Sequence, residues 1–238
     1  MTQPLSGKIA LVTGASRGIG YQAALALARA GAHVIAVART IGGLEELDDE
    51  IQAAGGSATL TPLDLKQGDL IDRAGGAIHE RWGRLDILVG NAGILGELAP
   101  MNHISPKVWD EVMAVNLTAN WRLIRAFDPL LRVAPAGRAL FLTSTVGHTP
   151  RAYWGAYAVS KAAVEMMVRT YADELDDTEV RVNLLNPGAT RTAMRAKAMP
   201  GENPDALPQP ADIAPAIVRM VSPDWTSQGE LVNWREMR

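Results

Sequence analysis

The sequence predicts an α/β fold, a single domain over residues 1–238 with a doubly wound sheet of about seven parallel strands and helices on both faces. Short apolar runs alternate with amphipathic stretches along the whole chain, as buried parallel strands alternate with the helices that cover them. A glycine-rich turn joins the first run to the first amphipathic stretch, the kind of junction at which such sheets meet a ligand. With 238 residues, 47% of them hydrophobic and 21% charged, the chain is large enough for one substantial core and too apolar for a disordered polymer.

The apolar runs at 9–12, 34–38, 58–60, 87–89, 139–142 and 180–185 read as buried strands, and a weaker run at 231–232 reads as another. Between them, residues 18–30, 44–54, 69–82, 106–133 and 155–175 carry apolar side chains at three- and four-residue spacing and read as helices. Ser105 followed by Pro106 marks the start of the fourth helix, with the serine as N-cap and the proline in the first turn. Segment 194–210 breaks the rhythm with Pro200, Gly201, Pro204, Pro208 and Pro210, and reads as a short helix with a mobile loop, a lid for a substrate.

Composition removes several classes of function. The absence of cysteine excludes disulfides, thiolate metal sites and a Cys nucleophile. No two of the four histidines stand at ligand spacing, so no metal site is expected. A balance of 23 Lys+Arg against 26 Asp+Glu supplies no bulk basic field for nucleic acid. Residues 1–8 lack a signal-peptide pattern and no apolar run approaches a membrane span, so a soluble cytoplasmic protein is expected, with no membrane partner.

The first strand leads into Thr13-Gly14-Ala15-Ser16-Arg17-Gly18-Ile19-Gly20. Glycines at 14, 18 and 20 allow a tight turn and a close backbone approach, and the following helix start offers unpaired N–H groups to a pyrophosphate. Where the second strand ends, many NAD-binding proteins carry an acidic ribose ligand; here Arg39 stands instead. Arg39 and Arg17 together can clamp a 2′-phosphate, so NADP(H) is expected over NAD(H), with NAD(H) still possible. The alternative is two solvated surface arginines. Asp64, past the third strand and next to Leu65, reads as an acceptor for an adenine amino group or as a turn former. Asn91-Ala92-Gly93 ends the fourth strand at the carboxyl edge of the sheet, where it serves a ligand or forms an ordinary turn.

Tyr157 and Lys161 stand four positions apart and share one helix face. For a phenol to work as a general acid/base near neutrality its pKa must fall from about 10, at a cost of about 4 kcal/mol that a neighbouring ammonium can supply. Ser144, at the end of the fifth strand, can polarise a carbonyl oxygen. Asn116 lies within the fourth helix, where a buried amide needs partners, such as a kinked backbone or a water toward Lys161.

Glycine turn, Asn-Ala-Gly, mid-helix Asn, Ser and Tyr-x-x-x-Lys follow one another in an order that resembles the short-chain dehydrogenase/reductase family, over about residues 8–192. The resemblance implies a coenzyme-binding Rossmann fold and a tetrad of Asn116, Ser144, Tyr157 and Lys161. It implies cofactor contacts from Gly14, Ser16, Arg17, Gly18, Ile19, Gly20, Arg39, Asp64, Leu65, Asn91, Ala92 and Gly93, and from Tyr157 and Lys161. The stretch 186–192 looks like the family's Pro-Gly segment and adds Pro187, Gly188, Thr190 and Thr192. By the same analogy Leu95, His148, Tyr153, Trp154 and Met194, with Ile94 and Met199, wall a pocket for a medium-sized, partly apolar carbonyl or alcohol. Residues 154–158 and 186–195 look like those of the YciK-like bacterial oxidoreductases. The family commonly closes with Thr-Gly, a strand and Asp-Gly-Gly; residues 227–234 keep only a trace of that pattern. Pairing of two copies through the helices at 106–133 and 155–175, to a homodimer or homotetramer, also follows from the resemblance. A non-catalytic NADP(H)-binding sensor or scaffold is the alternative from another class, though binding alone needs neither the serine nor the phenol. Family chemistry turned to epimerisation or dehydration is a third.

Overall fold

A computed structural model describes residues 3–237. Seven parallel strands form one sheet in the order β3-β2-β1-β4-β5-β6-β7. They are β1 (Ile9–Thr13), β2 (His33–Ala38), β3 (Ser57–Pro62), β4 (Ile87–Gly90), β5 (Arg138–Leu142), β6 (Arg181–Asn186) and β7 (Leu231–Asn233). The helices are α1 (Gly18–Arg29), α2 (Ile41–Ala53), α3 (Gly68–Trp82), α4 (Pro106–Met113), α5 (Ala119–Val133), α6 (Gly155–Asp173), α7 (Ala193–Ala198) and α8 (Pro210–Met220).

Period-two alternation along the strands builds two cores. Ala10 and Val12 of β1 face one way, into a cluster with Leu25 and Leu27 of α1, Leu44 and Leu47 of α2 and Ile213 and Ile217 of α8. Ile9 and Leu11 face the other way, with Ile71 and Ile78 of α3, Phe127 of α5 and Val164 and Val168 of α6. Both faces are therefore covered, as an all-parallel sheet requires.

The expected strands are present within one or two residues, and β7 pairs β6 through Leu184–Leu231, Leu185–Val232 and Asn186–Asn233. The helix expected at 106–133 is α4 and α5 joined by a π turn at Ala114–Thr118, which contains Asn116. Ser105 caps α4 as expected, its side chain accepting from the Val108 N–H. Helix α2 begins at Ile41, ahead of the expected 44, because Gly42 and Gly43 hide a helix start. A Cβ on Gly43 would fall 2.7 Å from the Ser16 carbonyl oxygen, so helix and glycine turn touch only because it is glycine. Helix α8 went unread; Pro210 sits in its first turn, where proline is tolerated, and Gln209 and Asp212 form a capping box. No helix among the described residues is long and apolar enough to cross a membrane.

Candidate active site

The sheet order reverses between β1 and β4, and the crevice at the carboxyl ends of these strands is where open α/β sheets take ligands. At the end of β1, Gly14 and Gly18 take φ values of 68° and 61°. Thr13 ties the β1 and β4 ends together: its Oγ1 donates to the Val89 carbonyl at 3.3 Å and accepts from the Asn91 and Ala92 N–H groups at 3.0 Å each. The Asn91 side chain donates to the Thr13 carbonyl at 2.8 Å. A Cβ on Gly20 would fall 2.3 Å from Asn91 Nδ2, so the turn, the Asn91 amide and α1 are packed without room for a side chain. Asn91 thus braces the glycine turn, and Thr13, to which the sequence reading gave no role, is the residue that holds both.

The residues present fit a dinucleotide. Helix α1 has no side-chain cap, which leaves its first-turn N–H groups facing the crevice for an anion. A Cβ on Gly18 would meet the Thr192 methyl at 3.6 Å, so the glycine turn and the end of the Pro-Gly segment stand close to each other. Arg17 and Arg39 are exposed and form no ion pair or side-chain hydrogen bond among the described residues. Ser16, Ile19 and Leu65 line the same edge half-buried. Asp64 Oδ1 accepts from the Lys66 N–H at 3.0 Å, the turn-forming geometry. Along the far wall Pro187 and Thr190 are buried, with Thr190 Oγ1 donating to the Pro187 carbonyl at 3.3 Å, and Thr192 caps α7 by accepting from the Arg195 N–H. Gly188 adopts φ 66° and donates its N–H to Asn186 Oδ1 at 3.1 Å.

Helix α6 brings Tyr157 and Lys161 into this crevice, both buried. Lys161 Nζ donates to the Leu142 carbonyl at 2.8 Å and lies 5.7 Å from the Tyr157 ring centroid. Burial pushes the Tyr157 phenol up to about 12, and a hydrogen bond with the Ser144 side chain pulls it the other way. The sequence reading expected Lys161 to draw the phenol toward neutrality; in the chain by itself the loss of water dominates, and the phenol keeps its proton. Burial also lowers Lys161 to about 8, opposed by the charge of Glu165. Ser144 stands half-buried at the end of β5, facing Tyr157.

Asn116 is fully buried and its side chain is committed elsewhere: Oδ1 accepts from the Ile94 N–H at 2.8 Å, and Nδ2 donates to the Ile94 carbonyl and to Ser160 Oγ, each at 3.0 Å. Both N–H groups of that amide are thus committed to the Ile94 backbone and to Ser160. The backbone carbonyl of Asn116 accepts from Asn120 Nδ2 at 2.6 Å. A Cβ on Gly93 would lie 3.4 Å from Asn116 Oδ1 and 3.7 Å from Lys161 Nζ, which puts the Asn-Ala-Gly turn, the π turn and Lys161 together.

Of the expected pocket wall, Leu95, Trp154, Met194 and Met199 pack in one apolar cluster with Tyr157, joined by Leu98, Val146 and Ala198, which the sequence reading missed. The Trp154 ring meets the Tyr157 ring edge-on at 6.0 Å. Tyr153 is exposed and holds φ 73°, a strained value for a residue with a Cβ. Ile94 contributes its backbone to Asn116, and His148 is tied by Nδ1 to Glu165 at 3.0 Å. No cluster of three or more metal-ligating side chains occurs among the described residues.

A family model described as short chain dehydrogenase matches residues 8–203. The uncharacterized oxidoreductase YciK of Escherichia coli K12 is 43% identical over 223 residues, covering 92% of this chain and 88% of its own. A short chain dehydrogenase from Shigella flexneri 2a, solved in complex with NADP, superposes with a TM-score of 0.94 at 39% identity, covering 99% of this chain and 100% of that one. Another from E. coli CFT073, complexed with NADPH, gives a TM-score of 0.93 at 39% identity and covers 99% of both chains. The glycine turn at the sheet reversal and the grouping of Ser144 with the buried Tyr157 and Lys161 agree with these likenesses, and the chain belongs to the short chain dehydrogenase family.

Proposed function

We propose that the protein is an NADP(H)-dependent oxidoreductase that moves a hydride between the nicotinamide and a carbonyl or secondary alcohol, with Tyr157 as general acid/base. The observation that carries this reading is the convergence of the Tyr157 phenol, the Lys161 ammonium and the Ser144 hydroxyl at the carboxyl edge of the sheet, beside an uncapped helix start. When bound, NADP(H) supplies or accepts the hydride.

The chain's residues do the rest. The α1 N-terminus and the backbone of 14–20 hold the pyrophosphate, and the unpaired Arg17 and Arg39 take the 2′-phosphate. Two relatives of the same fold, solved with NADP and NADPH, support that choice. Asp64 and Leu65 flank the adenine, and residues 91–93, Pro187, Gly188, Thr190 and Thr192 wall the nicotinamide side. Ser144 donates to the substrate oxygen. Tyr157, a neutral phenol below about pH 12, gives that oxygen its proton during reduction. Lys161 holds its positive charge beside the reacting oxygen up to about pH 8, and Asn116 fixes the π turn and the 94–95 backbone beside it. The apolar wall of Leu95, Trp154, Met194 and Met199 favours a medium-sized, partly apolar substrate. Segment 194–210 acts as its lid, clasped by Arg195 to Glu202, Arg191 to Asp205 and Lys197 to the Gly96 carbonyl.

The reading is tested by screening carbonyl and alcohol compounds while following NADPH absorbance, then comparing NADPH with NADH on the best substrate. NADPH is expected to give the higher kcat/KM, and Arg39→Ala to cost about 10- to 100-fold with NADPH while sparing NADH. Equal efficiency with NADH contradicts the arginine clamp. Tight NADPH binding without turnover on any compound moves the reading to a binding module.

A further inference from the structure

Glu165 lies in α6 one turn beyond Lys161, is 4% exposed, and has no part in the chemistry above. A carboxylate taken out of water must be given donors. Among the described residues its side-chain partners come from one place, the loop that carries Ser144. Thr143 Oγ1 donates to Glu165 Oε1 at 2.6 Å, and His148 Nδ1 lies 3.0 Å from the same oxygen. Between these two contacts the loop backbone rests against the carboxylate, since a Cβ on Gly147 would fall 2.6 Å from Oε1. Thr143 immediately precedes Ser144 and His148 closes the 3-10 turn Thr145–Gly147, so Glu165 grips both ends of the Ser144 loop. The same helix bears Tyr157, whose phenol Ser144 faces.

We propose that Glu165 is a positioning residue for the reaction: it clamps the Ser144 loop to α6 through Thr143 and His148, and its negative charge stands behind the Lys161 ammonium. The proposal rests on the assignment of Ser144, Tyr157 and Lys161 made above. Among the described residues two ionisable groups face Lys161, Tyr157 and Glu165 on its own helix, and the half-exposed His148 stands on the far side of Glu165, bonded to it. The elements packed on α6 from β5 and the π turn present Leu142, Thr143 and Asn116 there, none of them charged. Glu165 is the group whose charge opposes the effect of burial on Lys161.

The clamp and the charge separate by substitution. Glu165→Gln keeps an acceptor for Thr143 but drops the charge; Glu165→Leu drops both; Thr143→Ala cuts the clamp from the loop side without touching the charge. With the best carbonyl substrate and NADPH, Glu165→Leu and Thr143→Ala should each lower kcat about 10- to 100-fold, the loss that goes with a displaced catalytic group. NADPH affinity, read by fluorescence in the absence of substrate, should stay within a few-fold of wild type. Glu165→Gln should keep most of its turnover at neutral pH, yet lose it at lower pH than wild type on the alkaline side, because Lys161 then gives up its proton earlier. Should Glu165→Leu fail to fold, Thr143→Ala and Glu165→Gln carry the test. Wild-type kcat in Thr143→Ala, or an unchanged alkaline limb in Glu165→Gln, overturns the proposal. Tyr157→Phe run in parallel separates the two levels: if it still turns over, the assignment of the site itself fails, whereas loss in Tyr157→Phe with no effect at Glu165 or Thr143 refutes the clamp alone.

Discussion

Burial of two ionisable side chains at one point makes the site costly to fold. Lys161 is lowered to about 8 by burial, whereas in the unfolded chain it titrates near its usual 10.5. Below pH 8 both states carry the proton and the cost of burying the charge is felt in full. Between about pH 8 and 10.5 the unfolded chain holds a proton that the folded chain has released, so stability rises with pH across that window. Tyr157, pushed up to about 12, acts in the opposite sense, but only above about pH 10, where the unfolded chain loses a proton the folded chain keeps. Lys161→Met isolates the first effect. From pH 8 to pH 10 the wild type should gain about 2 kcal/mol of unfolding free energy relative to Lys161→Met, measured by urea denaturation. A difference that stays flat over that range would mean Lys161 is not held in a dry site. The residue spacing made the Tyr157–Lys161 pair legible, whereas Glu165, one turn further along the same helix, went without a role until the Ser144 loop was seen to close on it. The balance between burial and charge was not legible, because it depends on how completely neighbouring elements exclude water.

At the scale of elements, the strands could be read because each is buried on both sides and therefore continuously apolar. The two helices that were misplaced or missed share a cause. Gly42 and Gly43 begin α2, and Pro210 and Pro215 lie within α8, so residues that usually break a helix stand inside helices held by tertiary packing. In α8 the cost is small: Pro210 occupies the first turn, and Pro215 removes only the bond to the Ala211 carbonyl. What α8 returns is cover for α1, through Ile213 and Ile217, both fully buried. Ile217→Ala should therefore cost about 2–5 kcal/mol in urea or thermal unfolding while leaving NADPH affinity close to wild type. Asn186 marks a different limit of sequence reading. Its Nδ2 donates to Thr145 Oγ1 at 3.0 Å and to Asn233 Oδ1 at 2.9 Å, tying the Ser144 loop and the Pro-Gly segment to the last strand. The departure of residues 227–234 from the family pattern thus leaves β7 formed and joined to the site, by contacts that no local spacing announces.

Across the described residues one parallel sheet and its helices build the coenzyme fold, and the residues proposed for the chemistry gather from α6 and from loops at one edge of that sheet. Outside that edge, Trp121 of α5 and Met166 of α6 remain 46% and 64% exposed, on the helices from which the family resemblance implies pairing. We propose that two copies meet there; light scattering should give twice the chain mass, and Trp121→Glu should return the monomer. Tyr157 is the proposed proton-transferring group, and substituting it by Phe removes the hydroxyl while keeping the ring packed against Trp154. Steady-state turnover of the best carbonyl substrate by Tyr157→Phe, alongside NADPH binding by fluorescence, tests it most directly. A fall in kcat of at least about 100-fold with NADPH affinity retained is expected; turnover near the wild-type rate would rule out the phenol as the proton donor.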